Sequence, residues 1–520
     1  EPVPGIEFEY EMAQQLVPDI ALEEVNKKPQ KWMTDDNTVI IVTGPEKEGV
    51  EMPSEEEVLA TYNEVRAKET EPYVDDYQEQ ELLVNTPASG SIVEESSIEE
   101  LGVTELTFDN GAKVVLKPTD FKNDEILISA YSFGGSSLYP DEDYYTASMV
   151  SQVVMESGIG EFSKTDLNKA LSGKSVEIYP MVDNLTEGLQ GNTTPEDFET
   201  YLQLQYLYFT EPRKDPTSFA SFKQQQKMIY KNLDANPQFY FMKRYMKVLY
   251  DNHPRAKVPE AEDFDKIDLD RLFEIYNERF GNAGDFTFFI VGNFDVEEVK
   301  PMLATYIGGL PGEESRETFE DVGIRYPESA KNEIIRKGTE PKSMVTMSYT
   351  GDFDWNYENR FKIRALADVL RIKLRESMRE DKGGVYGVGV NAQPGHYPIE
   401  DYLFSIQWGC SPENVEELIE TAKGEMETLM AEGATEKDLK KVKETMLRSR
   451  ETDMKENRFW ASALQQYYKH GEDPTRLLEF EEHVNTLSSD DIKAAANLYF
   501  NDDRLIQFVM YPEDQEELLN

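Results

Sequence analysis

The chain repeats itself, and that limits its folds more than any other feature. "DFTFFIVGNFDVEEV" (285–299) and "DRLIQFVMYPEDQEELL" (503–519) both read as an apolar strand, a short turn and an acidic helix start. Each follows an amphipathic helix ending in a tyrosine, Tyr276 in "IDLDRLFEIYNERF" and Tyr499 in "LSSDDIKAAANLYF". A spacing of about 220 residues is too long for a solenoid and suits a duplicated domain. Two alternating strands, "ILISAYSFGG" (126–135) and "MVTMSYTGDF" (344–353), recur at a similar offset, and each leads into an acidic loop and a long helix.

These elements predict an α+β chain with two tandem homologous domains, each a mostly antiparallel sheet covered by helices, behind a helical and extended connector. The first domain is placed at 101–320 and the second at 321–520. The first opens on "ELTFDNGAKVVLKP", where Asn110-Gly111 between alternating apolar runs signals a hairpin. "TTPEDFETYLQLQYLYF" predicts a helix with Thr194 as its N-cap and Pro195 at its first position. Residues 51–100 read as an acidic connector, with Ser54 and Glu57 spaced as a capping box and an aperiodic stretch behind them. Before it, "DDNTVIIVTGPEKEGV" repeats the terminal strand with no domain ahead of it. Residues 1–50 are therefore expected to be the tail of a preceding repeat, and the chain, which begins at Glu1, a piece of something longer.

The net charge of −49 argues against nucleic acid as the main partner. No run approaches the roughly 20 apolar residues of a membrane span. One cysteine, Cys410, excludes an internal disulfide. The four histidines form no i, i+4 pair, and no phosphate-binding glycine pattern or nucleophile motif is present.

One corner remains. In "LRESMREDKGGVYGVGV" a long helix ends at Arg379, two glycines follow, and a strand begins at Tyr386. Gly387 and Gly389 empty one face of that strand, which invites close backbone approach. Read from these residues alone, Arg379 caps a helix and Tyr386 packs.

An arginine seven residues before a tyrosine across a helix-to-strand corner resembles the second domain of a half-molecule in the pitrilysin/insulinase (inverzincin) family of zinc peptidases. The duplication, the "LTFDNGAKVVLKP" opening and the terminal strands resemble that family as well, over nearly the whole chain. The resemblance implies two half-molecules closing around a peptide, one holding zinc and the other supplying Arg379 and Tyr386 as donors to the substrate carbonyl or oxyanion. It also implies a departure. Catalytic halves carry H-x-x-E-H on the first helix after the hairpin, and here "YYTASMVSQVVMESGIG" puts Met149 and Val153 at the histidine positions and Gln152 at the base position. The third ligand position falls near Lys231. The chain is thus expected to bind no metal or cofactor itself, and to be inactive alone. Zinc is expected in an N-terminal catalytic half, fused to it or a separate subunit, with peptide as substrate. The alternative is a catalytically silent peptide- or protein-binding scaffold. The resemblance implies a periplasmic protein, otherwise a cytoplasmic one.

Overall fold

A computed structural model describes residues 5–34, 37–44, 49, 51–69, 71, 80–381 and 385–513. The chain divides into two compact units, Glu1–Asp76 and Tyr77–Asn520. The first holds the helices Ile6–Leu16, Leu22–Trp32 and Glu55–Ala67. The third starts on the expected capping box: Ser54 Oγ accepts from the Glu57 N–H, and the Glu57 carboxylate accepts from the Ser54 N–H. Residues 38–44, expected to be the closing strand of an earlier repeat, form no strand. A strand needs a neighbour for its backbone groups, and Val39 and Ile41 instead stand 80% exposed.

The second unit contains two sheets. The first is built from β1 (Ile92–Ile98), β2 (Val103–Phe108), β3 (Lys113–Pro118), β4 (Ile126–Phe133), β5 (Val176–Val182), β6 (Thr186–Thr193) and β7 (Thr287–Gly292). The second contains β8 (Lys331–Arg336), β9 (Ser343–Asp352), β10 (Val385–Gly395), β11 (Asp401–Cys410) and β12 (Leu505–Tyr511). Their orders are β1-β2-β3-β7-β4-β6-β5 and β10-β11-β9-β12-β8. Apart from the added β1 and β2, these are one topology: β3 pairs parallel with β7 as β8 does with β12, and all other pairs are antiparallel. The sheet duplication matches the repeat spacing, and the architecture is the α+β one the alternating strands predict.

Local chemistry explains the sheets' edges. Gly111 takes a φ of +88° in the β2–β3 turn, and the buried Asn110 amide donates to the carbonyls of Ile307 (2.8 Å) and Leu310 (3.1 Å). The turn residue thereby ties the hairpin to the end of the helix Val296–Tyr306 and the loop after it. β1 lies inside the stretch read as extended connector. Only its end residues are even half-buried, so this edge strand has no apolar alternation to betray it. The helix expected to start at Pro195 starts at Phe198. Thr194 Oγ1 accepts from the Asp197 N–H in a preceding turn (3.3 Å), and the Asp197 carboxylate turns away to the Ser175 N–H (2.8 Å).

Each sheet has one face covered by its own domain's helices, and the other face is covered by a helix from the other repeat. The helix Pro237–Leu249, from the first repeat, packs Phe241 against Ile335, Phe508 and Met510 of the second sheet. Its Tyr245 hydroxyl meets Ser348 Oγ at 2.7 Å. The helix Asn457–Lys469, from the second repeat, returns the arrangement. Trp460 and Leu464 pack against Val103, Val115, Phe289 and Val291 of the first sheet. Fully buried Asn457 donates to Glu125 (2.9 Å) and accepts from Thr119 (2.5 Å).

Candidate functional site

The apolar stripe of the helix Tyr357–Leu374 is core as expected: Phe361, Ile363, Leu366, Leu370 and Leu374 are buried, and Ile372 is half-buried. The helix then widens into a π-helical turn, Arg375–Asp381, where continuous α-helix was expected. Such turns concentrate at functional positions because the extra residue re-aims the side chains around it. Met378 is buried within this turn and Arg379 is exposed, while Lys441 pairs with Glu376 at 2.7 Å. Gly383, Gly384 and the Tyr386 side chain lie outside the described residues.

β10, which contains Tyr386, is the edge strand of the second sheet. Its pairing with β11 slips between Val385 and Val388, so the simple alternation of faces expected from Tyr386 onward begins only after a bulge. Gly387 opens onto empty space, and Gly389 meets only the flexible Gln407 side chain, at 3.1 Å from where a Cβ would stand. No backbone among the described residues takes up the approach that these glycines permit.

The positions matched to a zinc site lie elsewhere and do not fit a metal. Met149 (7% exposed) and Val153 (0%) belong to the first domain's core, with Met149 at a break between the helices Tyr144–Ser148 and Val150–Ser157. Gln152 points to solvent, and Lys231 is exposed in the last turn of the helix Pro216–Leu233. A packed thioether, an alkyl group, an amide and an ammonium offer no zinc donor set. Among the described residues no group of three or more His, Cys, Asp or Glu side chains could hold a metal ion, and no helix is long and apolar enough to cross a membrane.

What the sequence did not reveal is a cavity of about 1530 Å³ between strand β4 of the first sheet, with the loop before it, and the outward face of the helix Tyr357–Leu374. The helices Glu436–Asp453 and Asn457–Lys469 close it, together with the β10 end around Pro394–Tyr397. Two histidines 74 residues apart meet on its wall, His396 Nδ1 lying 3.1 Å from His470 Nδ1. His396 stacks on Trp355 at 4.8 Å, and Trp355 also carries Arg360 over its ring at 4.3 Å. Burial and the adjacent His396 push the His470 pKa down to about 4, so that ring is neutral at physiological pH. Arg360 also pairs with Glu472, which accepts from Trp355 Nε1 at 2.8 Å.

Residues 266–446 match the peptidase M16 inactive domain. The chain is 25% identical over 487 residues to a zinc protease PQQL-like protein of Arabidopsis thaliana, across 90% of this chain and 48% of the relative. It is 22% identical over 448 residues to the probable zinc protease PqqL of Escherichia coli K12, across 85% of this chain and 48% of that protein. The chain thus spans about half the length of the curated relatives it matches. Among solved structures it aligns with the periplasmic protease PqqL from E. coli at a TM-score of 0.73 and 20% identity, covering 98% of this chain and 57% of that one. It also aligns with the first half of the same protease at a TM-score of 0.65 and 11% identity, covering 82% and 94%. Over residues 266–446 the chain is thus similar to the inactive domain of M16 peptidases, and its fold is that of the PqqL-type proteases.

Proposed function

We propose that this chain is the non-catalytic half of a two-half M16 zinc peptidase, enclosing and orienting a peptide for a separate zinc-bearing half. In this reading Arg379 and Tyr386 donate hydrogen bonds to the substrate's scissile carbonyl as it gains negative charge. A guanidinium and a phenol suit that task because both are strong donors and neither must give up its proton. The observation that carries the reading is the exposed Arg379 on a π-turn beside an edge strand whose Gly387 faces open space. An extended peptide laid along β10 would pair with unfilled backbone groups and meet no side chain at Gly387. The match over about half of each longer relative supports a partner half, fused or separate. By likeness to the E. coli protein, we assign the chain to the periplasm.

The test combines this chain with a zinc-bearing half and follows cleavage of unstructured peptides. Arg379→Ala and Tyr386→Phe should each lower kcat by about 10²-fold with an unchanged circular-dichroism spectrum, the scale on which loss of one transition-state donor acts. Unchanged turnover in both variants refutes the donor roles. Peptide binding without any cleavage by the combined halves would instead identify a scaffold.

A further inference from the structure

The cavity inverts the charge of the protein. The chain has 53 Lys and Arg against 102 Asp and Glu, whereas the cavity wall has nine Lys and Arg against four carboxylates. Three of those four are already taken: Asp368 by Arg371, and Glu125 and Glu456 by Lys122. Arg364, Arg375, Arg450, Arg458 and Lys469 form no ion pair with any described residue. Asp453 and Asp183 lie near enough to act on Arg450 and Lys469 without bonding to them, and five cations without an ion pair around one cavity still favour an anion between them.

One of them is built into place. The Arg450 guanidinium lies between aromatic rings, 3.9 Å from the Phe480 centroid and 4.8 Å from that of Phe459, and its Nη1 is buried without a hydrogen-bond partner. A charged donor left unpaired away from water is unfavourable, and an acceptor entering the cavity would relieve it. Arg364 is exposed on the cavity wall, one helical turn from Arg360 on the same helix. Burial lowers the pKa of Lys469. Tyr357, Phe361 and Tyr467 supply apolar surface beside these charges. Planar guanidinium groups next to aromatic rings suit carboxylates carried on a peptide, since the fork matches the carboxylate and the rings take the aliphatic stems. A nucleic acid would have to approach against a net charge of −49.

We propose that this cavity is a carboxylate-recognition site for an acidic stretch of peptide, with Arg364 and Arg450 as its anchors and Lys469 as a third cation. The proposal rests on the peptide-enclosing function above and names the class of peptide selected. The full chain is titrated with three fluorescein-labelled unstructured peptides that differ only in a central run of Glu, Gln or Lys, and anisotropy is read at low and high salt. The Glu peptide should bind roughly tenfold tighter than the Gln peptide, with the gap closing as salt rises. Arg364→Gln should remove most of that preference and leave Gln-peptide affinity unchanged. Arg450→Lys keeps the charge but loses the planar fork, and should remove part of the preference. Equal binding of the Glu and Gln peptides, or an intact preference in Arg364→Gln, overturns the proposal. Inorganic phosphate is the competing arm: if it binds more tightly than the Glu peptide, the site is one for small anions and the proposal also falls. Arg379→Ala should leave the Glu-to-Gln ratio untouched, so failure of the cleavage reading and failure of this one are separable.

Discussion

Replacing Trp460 by alanine should destabilise a sheet to which Trp460 does not belong in sequence. The indole is 5% exposed and seated on Leu101, Val103, Val115, Phe289 and Val291, all of the first repeat. Truncating a buried Trp costs about 3–5 kcal/mol through lost transfer energy and the cavity left behind. Lys117 Nζ lies 4.7 Å from the ring centroid, half-exposed, and losing that contact adds about 0.5–1 kcal/mol. The Nε1 bond to the Met454 carbonyl (2.9 Å) adds little, because water can replace the donor near a helix end. A total of about 4 kcal/mol is a large share of a typical stability of 5–15 kcal/mol. The assay is native-state hydrogen exchange read by mass spectrometry on β3 and β7. Where exchange follows the opening equilibrium, about 4 kcal/mol accelerates those amides by roughly three orders of magnitude. Phe241→Ala is the mirror experiment and should accelerate β8 and β12. If Trp460→Ala speeds exchange only in its own helix or in the second sheet, with β3 and β7 unchanged, the cross-covering energetics are wrong.

Two predictions concern pH. Glu187 is buried on β6 beside Arg279 (3.7 Å), which Glu317 also engages at 2.6 Å, and burial pushes its carboxyl up to about 8 from 4.5. Between those values the folded chain holds a proton that the unfolded chain has released. Stability therefore falls as pH rises through this window. Glu187→Gln should flatten the slope in denaturant titrations between pH 5 and 8, and an unchanged slope would refute the assignment. His470 works in the opposite sense. Its folded pKa of about 4 lies below the ordinary 6.5, so its contribution is complete above pH 6.5 and is lost as pH falls towards 4. His470 is only half-buried, so solvent screening holds the loss to about 1–2 kcal/mol. His470→Gln should show a smaller acid-induced drop, and an equal drop would place the sensitivity elsewhere.

Features carried by neighbouring residues were legible in the sequence. Asn110-Gly111 turns the β2–β3 hairpin, Ser54 and Glu57 cap their helix from both sides, and the two alternating strands occupy matching places as β4 and β9. The misreadings share a cause, which is that the deciding contact is distant or the pattern has no period. β1 is a strand because β2 offers it an edge, not because its side chains alternate. The π-turn at Arg375–Asp381 follows a helix whose apolar stripe runs on without a break. Periodicity identifies Phe241 and Trp460 as core residues, but it cannot say that each packs on the other repeat's sheet. The candidate site divides in the same way. Arg379 is proposed from its spacing to Tyr386, two positions near in sequence, whereas the cavity brings together Arg364, Arg450 and Lys469 from three helices, under an overall composition that points to the opposite sign.

The packing around Met149 and Val153 works as a ratchet. Placing histidines at both positions would not create a metal centre, because the space is filled by thioether and alkyl groups in contact with the rest of the first core. Each imidazole would arrive as a buried polar ring without a partner, while Lys231 would still present a positive charge that repels a metal ion. An engineer seeking hydrolysis in this molecule would have to hollow out and re-ligate an entire helix interface at once, since every single step along that route lowers stability before any step gains a ligand.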